Sequence, residues 1–204
     1  MYLIDGPDDS PINFLFAHGA GAGMDHDFMT AVAKGLANEG IRVIRFNFPY
    51  MVKRAEDGKK RPPDRAPKLL EDFQQHIDAH SERPLVIGGK SMGGRMASLV
   101  ATENPTLAGV ACLGFPFHAP GKDVYRGEHL TNFSLPCLIL QGERDTFGHR
   151  AEVESYSFSA QVKVQFLPDG DHSFKPRKAS GKTEAENIAE AVDSLSRFIK
   201  AQLA

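Results

Sequence analysis

The feature that most narrows the folds open to this chain is the alternation of short apolar runs with amphipathic segments of helical period. The runs at residues 14–17, 41–48, 85–88, 109–114, 137–141 and 162–166 are too short to be buried helices and read as strands. Between them, Phe28, Val32 and Leu36 share one helical face, with Asp25 as the expected N-cap and Gly40 as the stop. Leu69, Phe73 and Ile77 mark a second helix, and a third starts directly after Ser91 with Met96, Leu99 and Val100. A short fourth is expected over residues 150–156. The last opens on the capping box Thr183 to Glu186 and carries Ile188, Val192, Leu195 and Ile199. Near-continuous apolar strands alternating with helices predict an α/β domain: a mostly parallel central sheet of six to seven strands with helices on both faces.

With 204 residues, 41% of them hydrophobic, a single domain over residues 1–204 is expected. The formal charge of −2, from 24 basic and 26 acidic residues, provides no field that would gather nucleic acid or an anionic membrane. Cys112 and Cys137 lie inside apolar runs without metal-like spacing and read as reduced, buried thiols. The N-terminal segment lacks the pattern of a signal peptide, and no apolar run reaches membrane-spanning length, so a cytoplasmic location is expected. Oligomeric state is not legible.

The densest chemical signal is Gly89-Lys90-Ser91-Met92-Gly93, a G-x-S-x-G between an apolar strand and a helix. On such a turn the serine takes a strained conformation, flanking glycines relieve the crowding, and the hydroxyl stands above the sheet at a helix N-terminus. The same residues end like a phosphate-binding loop, but the required earlier glycine is Pro84 and the interval is strand. A second glycine-rich turn, His18-Gly19-Ala20-Gly21-Ala22-Gly23, misses the dinucleotide fingerprint: Met24 stands where its last glycine belongs, and Phe46-Asn47-Phe48 offers no acid at the next strand end. It suits an oxyanion hole instead, with the N–H of Met92 as one donor and that of Ala20 as the other, Gly21 being the alternative. His18 is read as a structural hydrogen-bonding residue.

A serine hydroxyl needs a base, and the base an orienting acid. Asp145 follows the strand CLILQ and His172 follows the strand KVQFLP, in the chain order serine, aspartate, histidine. Taken singly, each is an ordinary solvated loop charge; together, four motifs end four strands on one side of the sheet. His118 and His149 are second choices for the base, while His26, His76, His80 and His129 read as surface residues. Asp145 outranks Glu143 as the acid because it lies further into its loop, with Asp171 in reserve. Phe48, Tyr50, Lys90, Phe115, Phe117 and Phe174 are expected to line an acyl site. Two long loops, 49–66 and 115–135, leave strand ends on the same side. The first carries Lys53, Arg54, Lys59, Lys60, Arg61 and Arg65 against three acids, and reads as a solvated charge run or as a border that attracts anionic substrates.

These motifs, F-A-H-G-A-G-A-G, R-F-N-F-P-Y, G-G-K-S-M-G-G-R, Q-G-E-R-D and D-G-D-H-S-F, resemble those of the α/β-hydrolase superfamily, most closely its dienelactone-hydrolase-like branch. Within that branch they look like a group of predicted bacterial hydrolases similar to the hydrolase-like domain of an animal chromatin-complex subunit. The resemblance implies triad roles for Ser91, Asp145 and His172. The sequence departs from larger hydrolases in lacking leading antiparallel strands and an inserted cap domain, the interval from Gly114 to Cys137 being too short for one, so a minimal hydrolase fold is expected. A cofactor-free serine hydrolase acting on a small ester-like or thioester-like acyl substrate is expected, and no metal, since no His, Cys or acidic cluster has ligand spacing. The fold also hosts catalytically silent interaction modules, peptidases and acyltransferases, so these remain open from sequence.

Overall fold

The computed structural model describes residues 1–203. One seven-stranded sheet organises it, in the order β1-β3-β2-β4-β5-β6-β7. The strands are β1 (Tyr2–Asp5), β2 (Asn13–Ala17), β3 (Arg42–Phe46), β4 (Leu85–Lys90), β5 (Gly109–Leu113), β6 (Cys137–Gly142) and β7 (Val162–Leu167). All neighbours pair in parallel except β1, which runs antiparallel to β3 with Tyr2 opposite Phe46 and Asp5 opposite Val43. This leading strand corrects the expectation that none would be present. It is a four-residue edge strand with Ile4 exposed, too short to show a period, and its position is secured by the Asp5–Arg45 ion pair at 2.7 Å.

Side chains along the strands alternate between two apolar layers. Leu15, Ile44, Phe46, Ile87, Val110 and Ile139 face one layer, where α3 (Ala66–Asp78) packs on α4 (Met92–Ala101). Phe14, Phe16, Val43, Val86, Leu113 and Leu140 face the other, where α1 (Asp27–Asn38) packs on α6 (Glu184–Lys200). Burial of these faces holds the layers together, at about 1.5–3 kcal/mol for each fully buried large side chain. α4 approaches the sheet closely because Gly93, Gly94, Ala97 and Ala101 form its buried face. The expected capping box is present in α6, where Thr183 Oγ1 accepts from the Glu186 N–H and Glu186 accepts from that of Thr183.

Three boundaries differ from the sequence reading. His26 rather than Asp25 caps α1, its Nδ1 accepting from the Phe28 N–H. The expected loop 49–66 begins instead as α2 (Pro49–Asp57), entered through Pro49 at the first helical position, where a missing N–H costs nothing. Pro49 is the sequence signal for this start, and the charge run that follows masks it. Helix α5 (Arg150–Val153) is a single turn, shorter than expected. No inserted cap covers the strand ends, and among the described residues no helix is long and apolar enough to cross a membrane.

Strand order reverses between β2 and β4, so connections leave in opposite directions and open a crevice at their carboxyl ends. The histidine-glycine turn after β2 and the serine turn after β4 both border that crevice.

Candidate active site

Ser91 joins β4 to α4 with φ 51° and ψ −115°, a backbone region that a residue with a side chain rarely occupies. The turn is held by the Ser91 N–H, which donates to the Leu113 carbonyl at 2.9 Å, and by the close approach of its glycines to β2. A Cβ on Gly89 would stand 2.7 Å from the Ala17 carbonyl oxygen, and one on Gly93 would stand 2.6 Å from it. Neither position accommodates a side chain without moving backbone.

Asp145 lies in the turn after β6 and is fully buried. Its Oδ1 accepts from the Phe147 N–H at 2.8 Å and its Oδ2 from Gln141 Nε2 at 3.0 Å. Gln141 is the polar end of an otherwise apolar strand; that contrast was the signal for its role and was not read.

His172 comes from the loop between β7 and α6. That loop turns at Asp169 (φ 50°) and Phe174 (φ 70°), and Asp171 shapes its tip by accepting from the Ser173 and Lys175 N–H groups at 2.8 and 3.0 Å. The other acid weighed for the orienting role is also engaged elsewhere: Glu143 accepts from the Asp169 N–H at 2.8 Å and pairs with Arg150. Arg144 pairs with Asp169 and so ties the Asp145 loop to the His172 loop, within which Arg177 also pairs with Asp169.

These constraints bring Ser91, His172 and Asp145 into one chain of hydrogen bonds. His172 Nδ1 lies 2.8 Å from Asp145 Oδ2 and 3.0 Å from Oδ1, and Nε2 lies 2.8 Å from Ser91 Oγ. A carboxylate only accepts, so Nδ1 carries the proton and Nε2 presents its lone pair to the Ser91 hydroxyl. A hydroxyl so placed is set to lose its proton to the imidazole as it attacks. Phe147 stacks on the imidazole face at 4.1 Å.

A cavity of about 290 Å³ opens beside Ser91 Oγ, bordered by Gly19 to Ala22, by Phe28 and Met29 of α1, and by Lys90, Phe147 and His172. Ala20 is therefore on the cavity wall. Met92 opens α4, and an N–H in a first helical turn has no partner within the helix.

Of the aromatic residues expected to line an acyl site, none borders this cavity. Phe48, Phe115, Phe117 and Phe174 are fully buried, Phe174 packing edge-on against Phe28 at 5.4 Å. Tyr50 supports the histidine-glycine turn from behind, its hydroxyl donating to the carbonyls of Ala20 at 3.0 Å and Gly19 at 3.3 Å. Rings entering a loop turned inward because burial in a packed layer stabilises them more than an open wall. The apolar wall comes from Phe28, Met29 and Phe147, and the exposed His26 stands at its edge. Lys90 alone of the expected set borders the cavity.

His18 Nε2 accepts from the Phe48 N–H at 3.0 Å, which leaves Nδ1 protonated to donate to the Gly19 carbonyl at 2.6 Å. Burial pushes its pKa down to about 4, so the ring stays neutral and fixes the turn. His118 pairs with Glu152 at 2.9 Å, and His149 caps α5. His76 and His129, read as surface residues, are half-buried and bonded to Tyr2 and Ser98, each at 2.8 Å. On α2, Arg54 donates to the Gly21 carbonyl, while Arg61 pairs with Asp57 and Lys68 with Asp64. Part of the basic run is thus neutralised locally.

Known structures share this architecture. An alpha-beta serine hydrolase homologue from Coxiella burnetii is 20% identical, with 96% of this chain and 89% of that chain covered at a TM-score of 0.72. The dienelactone hydrolase of Anabaena variabilis is 19% identical over 98% and 90% of the two chains, with a TM-score of 0.73. Est1E from Butyrivibrio proteoclasticus, a structure with ferulic acid bound, is 16% identical over 98% and 95%, at 0.74. No curated protein matches the sequence. The family model described as alpha/beta hydrolase domain matches residues 10–200, and the chain belongs to that family.

Proposed function

We propose that the chain is a serine hydrolase that cleaves ester-like or thioester-like acyl substrates through an acyl-enzyme. The observation that carries this reading is the placement of His172 between Ser91 and Asp145, 2.8 Å from each. Ser91 Oγ attacks the acyl carbonyl carbon while its proton passes to His172 Nε2, and the carbonyl electron pair moves onto oxygen. The N–H groups of Ala20 and Met92 receive that oxyanion. Collapse breaks the bond to the leaving oxygen or sulfur, which takes the proton from His172. Water then repeats the sequence on the acyl-enzyme and releases the acid. Asp145 stays ionised throughout and holds the imidazolium.

The cavity supports an acyl group of modest size. Its walls are mainly apolar, and about 290 Å³ is at the lower end of small-molecule sites, where pockets run from about 300 to 1,000 Å³. Hydrolysis of p-nitrophenyl acetate and butyrate by wild type, Ser91→Ala, His172→Ala and Asp145→Asn tests the reading. Wild-type turnover is expected, with loss of about three or more orders of magnitude in kcat in each variant and an unchanged far-UV spectrum. Wild-type turnover in a folded His172→Ala variant would remove His172 as the base.

A further inference from the structure

Lys90 is the residue next to the nucleophile, yet its side chain is engaged with the base. It is 8% exposed, and its Nζ donates to the backbone carbonyl of His172. The aliphatic stem runs beneath the histidine-glycine turn, where Cγ is 3.7 Å from the place a Cβ on Gly19 would take. The ammonium sits 5.3 Å from the Phe28 ring and 5.9 Å from that of Phe174. β5 yields to it: a Cβ on Gly114 would stand 2.8 Å from Nζ and 3.0 Å from the His172 carbonyl oxygen. A single residue thus touches the oxyanion turn, α1, the end of β5 and the histidine loop, and its own backbone leads into Ser91.

Burying an ammonium against two phenyl rings costs solvation that one carbonyl does not fully return, and a methionine of similar length is often the more stable occupant of such a place. A packing role alone does not require the charge. We propose that Lys90 is a positioning residue for acyl hydrolysis: its ammonium holds the His172 backbone at a set height over the Ser91 turn, so that Nε2 meets Oγ. This rests on the reading of the chain as a serine hydrolase.

The groups that face Lys90 are the carboxylates of Asp145, from the β6–α5 loop, and of Asp171, from the β7–α6 loop, together with His172 itself; α1 presents Phe28, with His26 on the same cavity. Burial lowers the ammonium pKa to about 8, and the two carboxylates only partly oppose this. A neutral amine donates a weaker hydrogen bond than an ammonium, by roughly half. The hold on His172 therefore slackens as pH rises through 8. Guanidinium does not titrate there, so arginine keeps the charge.

The test measures kcat and KM for p-nitrophenyl acetate from pH 6 to 10 in wild type, Lys90→Met and Lys90→Arg, with thermal melts and the rate of fluorophosphonate labelling at Ser91. Lys90→Met is expected to melt as wild type does, to lose about ten- to a hundred-fold in kcat, and to label more slowly in proportion, with KM changed less than about two-fold. Wild-type kcat is expected to step down about two- to ten-fold around pH 8 onto a non-zero plateau, a step missing from both variants. Wild-type kcat with raised KM in Lys90→Met would show a substrate contact and overturn the proposal. So would a step near pH 8 that survives in Lys90→Arg, an observation available even if Lys90→Met does not fold. Equal labelling of wild type and Lys90→Met removes this inference alone, whereas failure of wild type to label removes the hydrolase reading beneath it.

Discussion

Phe147 lies face to face with His172, ring centroids 4.1 Å apart and planes at 26°. The same ring borders the cavity, and its backbone N–H donates to Asp145 Oδ1. One residue therefore restrains both His172 and Asp145. Phe147→Ala keeps the backbone donor and removes the stack, a contact of about 0.5–1.5 kcal/mol. A fall of about two- to ten-fold in kcat/KM is expected, checked by steady-state kinetics on p-nitrophenyl acetate. Unchanged kcat/KM would show that the imidazole is fixed by its hydrogen bonds alone.

Tyr50 braces the histidine-glycine turn through its hydroxyl. Tyr50→Phe removes the hydroxyl that donates to Ala20 and Gly19 while keeping the buried ring. On the proposed mechanism this turn supplies an oxyanion donor, so loss of one shared hydrogen bond worth about 1 kcal/mol gives an expected drop of about five-fold in kcat with KM nearly constant. A change confined to KM would place Tyr50 in ground-state binding instead.

Much of this site was legible because its members end apolar runs. Ser91, Asp145 and His172 each follow a strand on one side of a parallel sheet, and chain order reveals that without coordinates. The aromatic residues were not legible in the same way. Phe48, Phe115 and Phe117 also follow strands, but whether a ring turns into a packed layer or toward a cavity depends on tertiary space, which residue type does not encode. Phe28 belongs to the amphipathic face of α1 and Met29 stands outside the named pattern, yet α1 places both at the core and the cavity. β1 escaped notice because four residues at a sheet edge carry no period. Lys90 borders the cavity, where the sequence places it, and its Nζ donates to the His172 carbonyl, a contact that spacing does not reveal.

His18 links the site to acid stability. Its pKa is about 4 when folded, because of burial, against an ordinary value of 6.5. Between those values the unfolded chain binds a proton that the native chain does not, so stability is complete above pH 6.5 and lost as pH falls toward 4. The loss attributable to His18 is about 3 kcal/mol, and His129, lowered to about 4 by burial and by Arg95, adds in the same direction and window. Urea unfolding at pH 7 and at pH 4.5 is expected to show the decline, and His18→Gln, which keeps one donor and one acceptor, is expected to reduce it to the part that His129 contributes. An equal decline in the variant would assign the acid sensitivity to other groups.

The central claim is that Ser91 is a nucleophile activated by His172 and Asp145. Its most direct measurement is reaction with a fluorophosphonate probe followed by peptide mass spectrometry, on wild type, Ser91→Ala and Asp145→Asn. One adduct per chain is expected on Ser91, none in Ser91→Ala, and labelling slowed by at least about a hundred-fold in Asp145→Asn. Wild-type protein that stays unlabelled, or that labels equally well in Ser91→Ala, would contradict it.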